Sequence, residues 1–286
     1  MGELAKPTVI VPLLKERGIH LSRRMGQHLL VDNNVLRRII EEASPGPSED
    51  VLEIGAGAGT LTEELSERAG RVFAVEKDRR FVQLLRETLG GRPNLCLLEG
   101  DALQLDLPAR LPAGPLKMVS NLPYNVATAV LLKVLRELPG LHTLVVMVQR
   151  ELADRYLAPP GARDYGVPTL KLGFHCRITR VMQVPPSVFL PPPRVDSALL
   201  RMERRPSGPL PAEEAEGFFR FIDAAFSQRR KTLANSLGAF LGREGSRRLL
   251  ERILVELGLP PDARPERLSL EEFARLYEKV CGGRTY

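Results

Sequence analysis

Four short runs hold residues whose types and spacing suit chemistry. "EIGAGAGTL" at 53–61 alternates Gly55, Gly57 and Gly59 with small residues. Glycines so placed allow a tight turn and close approach of the backbone to a ligand. About twenty residues further on, Glu76 closes the apolar run "RVFAVE", at the distance where an acid accepts hydrogen bonds from ribose hydroxyls. Asp101 closes the next run, in "EGDAL". The fourth stretch, "VSNLPYN" at 119–125, puts Asn121, Leu122, Pro123 and Tyr124 in a row at the end of a hydrophobic segment. Asn offers an acceptor, Pro stiffens the turn, and Tyr offers a stacking face. Together they suit a site that holds a flat, polar ring.

Each feature also has a plainer reading. Asn and Pro punctuate loops, and Tyr124 is an ordinary residue for a core edge. Glu76 lies beside Lys77, Asp78 and Arg79 and is open to a role as a solvated charge or helix cap. Asp101 is suited to capping a short turn. The joint pattern favours a site, because all of these residues fall at the ends of successive strand-like runs.

Those runs are "VLEIG", "RVFAVE", "NLCLLEG", "LKMVSN" and "HTLVVMVQ". Helical patterns follow at 60–69, 78–89, 126–138 and 149–157. An amphipathic helix over 32–44 precedes them, with Asp32 or Asn33 as its cap and Val35, Leu36, Ile39, Ile40 and Ala43 as its apolar face. Alternating β and α segments predict a mostly parallel sheet with helices on both faces. Its ligand crevice then lies at the carboxyl ends of the strands. Residues 160–204 are rich in proline and contain two β-like runs, 177–184 and 195–203, which predict an antiparallel edge on that sheet. "RPSGPLP" at 205–211 reads as a linker. Beyond it, helical patterns at 212–227, 230–241, 245–257 and 269–281 predict a small all-α domain. The expected division is therefore 1–205 and 206–286.

The 286 residues carry a net charge of +6, which tilts toward a polyanionic partner. No apolar run is long enough to span a membrane, and the first residues lack a signal-peptide pattern, so a cytoplasmic protein is expected. Cys96, Cys176 and Cys281 are far apart, with no CxxC pair and no clustered His. Neither a metal site nor a disulfide framework is expected. No feature demands a dimer, so a monomer is expected.

The glycine spacing is GxGxG, which departs from the dinucleotide fingerprint GxGxxG. With Glu53 just before it, the loop resembles that of class I methyltransferases, which bind S-adenosylmethionine (SAM). That ligand needs ribose and adenine contacts but no pyrophosphate cradle. The predicted fold is thus an α/β, Rossmann-like class I SAM-dependent methyltransferase domain with a helical C-terminal domain.

The whole set of motifs resembles one family, the bacterial small-subunit rRNA adenine dimethyltransferases of the KsgA (RsmA) type. The matching stretches are "GQHLLVD" at 26–32, "EIGAGAGTLT" at 53–62, "AVEKD" at 74–78 and "EGDALQLD" at 99–106, followed by "NLPYN" at 121–125, "PPSVFLPPPRVDSALL" at 185–200 and "FSQRRKTLANSL" at 226–237. They occur in the family's order. The first motif usually reads GQNFL, and here His28 and Leu29 replace Asn and Phe. The resemblance implies methyl transfer from SAM, without metal, to two adjacent adenosines near the 3′ end of 16S rRNA in the small ribosomal subunit. It implies SAM contacts from His28, Leu30, Gly55, Glu76, Asp101 and Asn121. It also implies a flipped adenine held by Asn121, Leu122, Tyr124 and Phe189. Phe189 stands among prolines and has a plainer reading as a plug in a hydrophobic gap. Arg229, Arg230 and Lys231 are expected to face rRNA phosphates. They also fit the solvated side of a helix whose Leu233, Leu237 and Leu241 make its core face.

Three rivals stand beside this reading. A large-subunit rRNA adenine methyltransferase of the macrolide-resistance type shares the glycine loop and an Asn–Pro–Tyr-like motif. A mainly non-catalytic ribosome-assembly factor keeps the fold without the chemistry. A NAD-dependent oxidoreductase is the most distant.

Overall fold

The computed structural model describes residues 2–22, 26–114, 116–228, 231–242 and 245–282. The chain divides into two compact units, one formed by the residues up to Ala153 with Ile178–Arg204, the other by Asp154–Arg177 with the residues from Arg205 onward.

In the first unit, helix α1 (Pro7–Glu16) precedes a two-residue strand β1 (Leu29–Leu30) and helix α2 (Asn33–Ala43). The cap of α2 is Asp32, whose Oδ1 accepts hydrogen bonds from the Asn34 and Val35 amides at 2.8 and 3.0 Å. All five apolar residues expected on its inner face are buried. Then come β2 (Asp50–Ile54), α3 (Thr60–Ser66), β3 (Arg71–Glu76), α4 (Arg79–Leu89) and β4 (Leu95–Glu99). The series continues with β5 (Leu116–Asn121), α5 (Ala127–Glu137), β6 (Leu141–Gln149) and α6 (Arg150–Leu157). After α7 (Val167–His175) follow β7 (Cys176–Val184), the short β8 (Phe189–Leu190) and β9 (Ser197–Arg204).

Seven strands form one sheet in the order β4-β3-β2-β5-β6-β9-β7. The strands β4, β3, β2, β5 and β6 run parallel, and β9 pairs antiparallel with β6. Strand order reverses between β2 and β5, which makes the carboxyl ends of those strands the switch point where open α/β sheets bind ligands. The ladder between them runs from Asp50↔Leu116 to Leu52↔Met118. Two residues beyond, the Ile54 amide donates to the Ser120 hydroxyl at 2.9 Å. The side chain replaces a ladder bond, and the two strands part there into a crevice.

The second unit contains α8 (Ala215–Phe226), α9 (Leu233–Leu241), α10 (Ser246–Glu256) and α11 (Leu270–Cys281). The expected division at 205–206 differs from the structure in one segment, because Asp154–Arg177 belongs with these helices. The reason is packing. Leu170 and Phe174 of α7 are buried in one apolar cluster with Phe218, Phe221, Leu237 and Phe273. The Tyr165 hydroxyl also donates to the Leu268 carbonyl at 2.6 Å. Helix α7 itself is absent from the sequence reading. Its proline, Pro168, stands in the first turn, where a missing N–H costs nothing.

Candidate active site

The carboxyl ends of β2, β3 and β5 surround a cleft of about 990 Å³, including its open mouth. His28, Leu30, Gly55, Glu76, Asp101 and Asn121 all line it. So do Glu53, which the sequence reading tied to the loop, and Gln27, Lys77 and Asp78, which it did not place there. Their signal was present, since each lies within a quoted motif no more than two residues from a predicted contact.

The glycine loop turns from β2 into α3. Gly55 has φ +81°, and a Cβ there would lie 3.2 Å from the Pro123 Cδ. Gly57 has φ +55°, and its Cβ would lie 3.0 Å from the Leu29 Cδ2. Both positions combine left-handed backbone with close approach of a neighbour, so any side chain would be strained and would push on the site.

Glu76 fastens this loop to β3. Its Oε2 accepts from the Gly57 amide at 2.8 Å, and its Oε1 accepts from the Lys77 and Asp78 amides at 2.9 and 2.8 Å. The side chain is 9% exposed. Burial pushes its carboxyl above the ordinary carboxylate value, although the three amides pull the other way. Asp78 caps α4 through the Arg80 amide and is paired with the Arg80 guanidinium. That pairing, with burial opposing and Gln27 assisting, holds it below its ordinary value. Asp101 caps a turn through the Leu103 amide at 2.9 Å and faces Lys77 at 3.9 Å. The capping reading and the cleft reading of this acid are thus both present in one geometry.

Glu53 is the most deeply buried acid of the cleft, at 1% exposure. Its Oε2 has no hydrogen-bond partner among the described residues. Burial, reinforced by the neighbouring Glu76 charge and opposed by the Thr62 hydroxyl, raises its carboxyl to about 8.

The stretch from Asn121 to Tyr124 leaves β5 beside the segment 26–30. The Asn121 Nδ2 donates to the His28 carbonyl at 3.0 Å. A carbonyl only accepts, so this bond fixes which way the amide lies and leaves Oδ1 as an acceptor. The Leu122 amide donates to the Met147 carbonyl at 3.1 Å, which ties the turn to β6. The half-buried Tyr124 bonds the Ser197 hydroxyl at 2.6 Å, and its ring stacks on His28 with centroids 5.5 Å apart and planes at 23°.

Leu122, Tyr124 and Phe189 are not part of the cleft lining. Leu122 as a whole residue is 1% exposed. Phe189 is 2% exposed and belongs to the apolar core of the first unit, where β8 pairs with β1 and sets Phe189 opposite Leu30. Lys231 is exposed, in the other unit. Arg229 and Arg230 lie outside the described residues.

Comparison with known proteins places the chain. Residues 19–279 match the family model described as ribosomal RNA adenine dimethylase. A protein of Bacillus mycoides named ribosomal RNA small subunit methyltransferase A is 38% identical over 282 residues, covering 96% of this chain and 97% of that protein. Its namesake in Bacillus cytotoxicus is 39% identical with the same coverage. A crystal structure of a dimethyladenosine transferase from Plasmodium falciparum superposes with a TM-score of 0.73 at 25% identity, covering 89% of this chain and 98% of that one. The crystal structure of the 23S rRNA methyltransferase ErmE gives 0.66 at 30% identity, covering 88% and 99%.

Proposed function

The chain belongs to the ribosomal RNA adenine dimethylase family, and from that premise we propose that it transfers methyl groups from SAM to the exocyclic amines of two adjacent adenosines near the 3′ end of 16S rRNA, as a monomer in the cytoplasm. The observation that carries the reading is the Asn121 amide, oriented by the His28 carbonyl at the edge of the glycine-loop cleft.

The residues present fit SAM. The loop approaches its neighbours so closely that a Cβ at Gly55 or Gly57 would intrude. The lining is acidic, with Glu76, Asp78 and Asp101 against Lys77, and Glu53 keeps a carboxyl oxygen that has no partner among the described residues. Such a lining suits a ligand that carries a sulfonium and an ammonium. Glu76 would take the ribose hydroxyls, Asp101 the adenine edge, and the backbone of His28, Leu30 and Gly55 the rest. Bound there, SAM supplies an electrophilic methyl group.

The chain's own residues prepare the acceptor. The exocyclic amine of adenine is a weak nucleophile, because its lone pair is delocalised into the ring. Bonding both N–H groups to fixed acceptors turns that lone pair toward the donor. The Asn121 Oδ1 and the Leu122 carbonyl are those acceptors, and Pro123 holds the turn that aims them. Tyr124 supplies a stacking face for the base once it has left its own stack, and that face also favours the positive charge that develops on methylation. Catalysis on this reading is mostly positioning. Phe189 is the second aromatic ring that the family resemblance assigns to the base, and it lies on β8 opposite the cleft residue Leu30.

Labelled methyl transfer to undermethylated small subunits, with the product nucleoside mapped, tests this. Dimethyladenosine at two adjacent positions near the 3′ end of 16S rRNA supports the reading. Label confined to 23S rRNA would instead favour the large-subunit specificity to which the ErmE similarity points. The higher identity to the small-subunit relatives supports the first outcome.

Two further results are expected. Glu76→Ala weakens SAM binding about tenfold or more, the worth of a charged hydrogen bond of roughly 1.5–3 kcal/mol. Calorimetric titration reads this, and unchanged affinity would refute the ribose assignment. Replacing Arg229, Arg230 and Lys231 together with Ala weakens RNA binding and flattens its salt dependence, by about 0.7–0.9 in log–log slope for each phosphate no longer neutralised. Titrations at several salt concentrations decide between this and a merely solvated helix face, which predicts no change in slope or affinity.

A further inference from the structure

Tyr124 is held on three sides. Its hydroxyl bonds Ser197, which is fully buried. Its backbone amide lies against Gly26, where an added Cβ would come within 3.5 Å. Its ring lies against the imidazole of His28, at a separation and tilt typical of stacked aromatic pairs. His28 is itself anchored, because its Nδ1 lies 2.7 Å from the Pro191 carbonyl. A carbonyl has no proton to give, so Nδ1 carries the hydrogen and the ring plane is set. The backbone of the same residue orients the Asn121 amide. One residue therefore touches two of the groups proposed to hold the adenine, Asn121 and Tyr124, through two different parts of itself.

We propose that the His28 imidazole is a positioning residue that braces the Tyr124 ring as a one-sided platform for the incoming base, a role separate from any contact with the methyl donor. The rings are 5.5 Å apart, which leaves no room for a base between them. The base must use the other face of Tyr124, and His28 backs the face it does not use. A lone tyrosine anchored only at its hydroxyl can still swing about its ring axis; a second ring behind it removes that freedom before the base arrives.

The inference rests on the adenine-platform reading of Tyr124, and a double-mutant cycle separates the two. Single-turnover methylation and RNA KM at saturating SAM are measured for the wild-type protein, His28→Ala, His28→Phe, Tyr124→Ala and the double variant His28→Ala/Tyr124→Ala. SAM affinity is measured for each by calorimetry. His28→Ala is expected to lose about three- to tenfold in rate over KM, the range of a stacked aromatic pair, with SAM affinity unchanged. His28→Phe restores most of that loss, because it keeps a ring behind Tyr124. In the Tyr124→Ala background the His28→Ala change costs nothing further. The proposal is overturned if the loss persists undiminished without Tyr124, if it appears as lost SAM affinity, or if Phe is no better than Ala. Failure of the wild-type protein to methylate adenosine would bring down the underlying reading, and this one with it. Loss of activity in Tyr124→Ala with normal behaviour in His28→Ala would bring down this one alone.

Discussion

Asn121→Ala is expected to slow methylation by about 10²–10³-fold while SAM affinity, RNA affinity and thermal stability stay close to wild type. The magnitude is that of removing one preorganised hydrogen-bonding group from a site where charge develops. The side chain is partly exposed at the cleft edge, so its removal opens no core cavity. Among the described residues, the one hydrogen bond its side chain makes is to the His28 carbonyl. Asn121→Asp sharpens the test. Aspartate keeps the acceptor but loses the Nδ2–H, so a carboxylate oxygen would face the His28 carbonyl with no proton between them. The side chain must then turn away, and the variant should be nearly as slow as the alanine one. Single-turnover transfer of labelled methyl decides the matter. A wild-type rate in Asn121→Ala, with both ligands bound normally, would end the positioning mechanism.

The second large effect concerns Glu53 and pH. Its carboxyl is raised from 4.5 to about 8. Burial is the main cause, and the Glu76 charge adds to it. An acid that holds its proton more tightly when folded lends stability that is fully present below about 4.5, where both states are protonated. That contribution shrinks as pH rises, because the unfolded chain ionises freely, and it is gone above about 8. A shift of this size is worth on the order of a few kcal/mol. Glu53→Gln should therefore flatten the decline in urea midpoint between those limits and be the more stable protein at neutral pH. A residual slope of the same sign remains from Glu76, which burial also raises. Parallel stability curves for the two proteins would show that Glu53 is not the source.

The parts of the molecule that local pattern governs were legible. The apolar stripe of α2 and the acids at the ends of β3 and β4 follow from spacing alone, because each depends on neighbours a few residues away. The six cleft residues lie together because parallel strands bring their carboxyl ends to one edge. What stayed hidden depends on contacts distant in the chain. Phe189 looked exposed among its prolines, yet pairing with Leu30 buries it. The bond between Tyr124 and Ser197 joins two motifs that give no sign of each other in sequence. Helix α7 was concealed by a proline that reads as a breaker but sits where a helix begins.

The discontinuous second unit has a consequence for how the chain is made. Synthesis runs from the amino end, so Asp154–Arg177 leaves the ribosome before α8 through α11 exist. Once Arg204 has emerged, every strand of the sheet is available to pair. Leu170 and Phe174 are by then waiting for partners such as Phe218 and Phe273. At about 5–20 residues per second, those apolar faces stay unpartnered for several seconds on every copy produced. A nascent chain arrested just past the sheet should accordingly be a good client for a chaperone that recognises short hydrophobic segments, and release of the full-length chain should end that dependence.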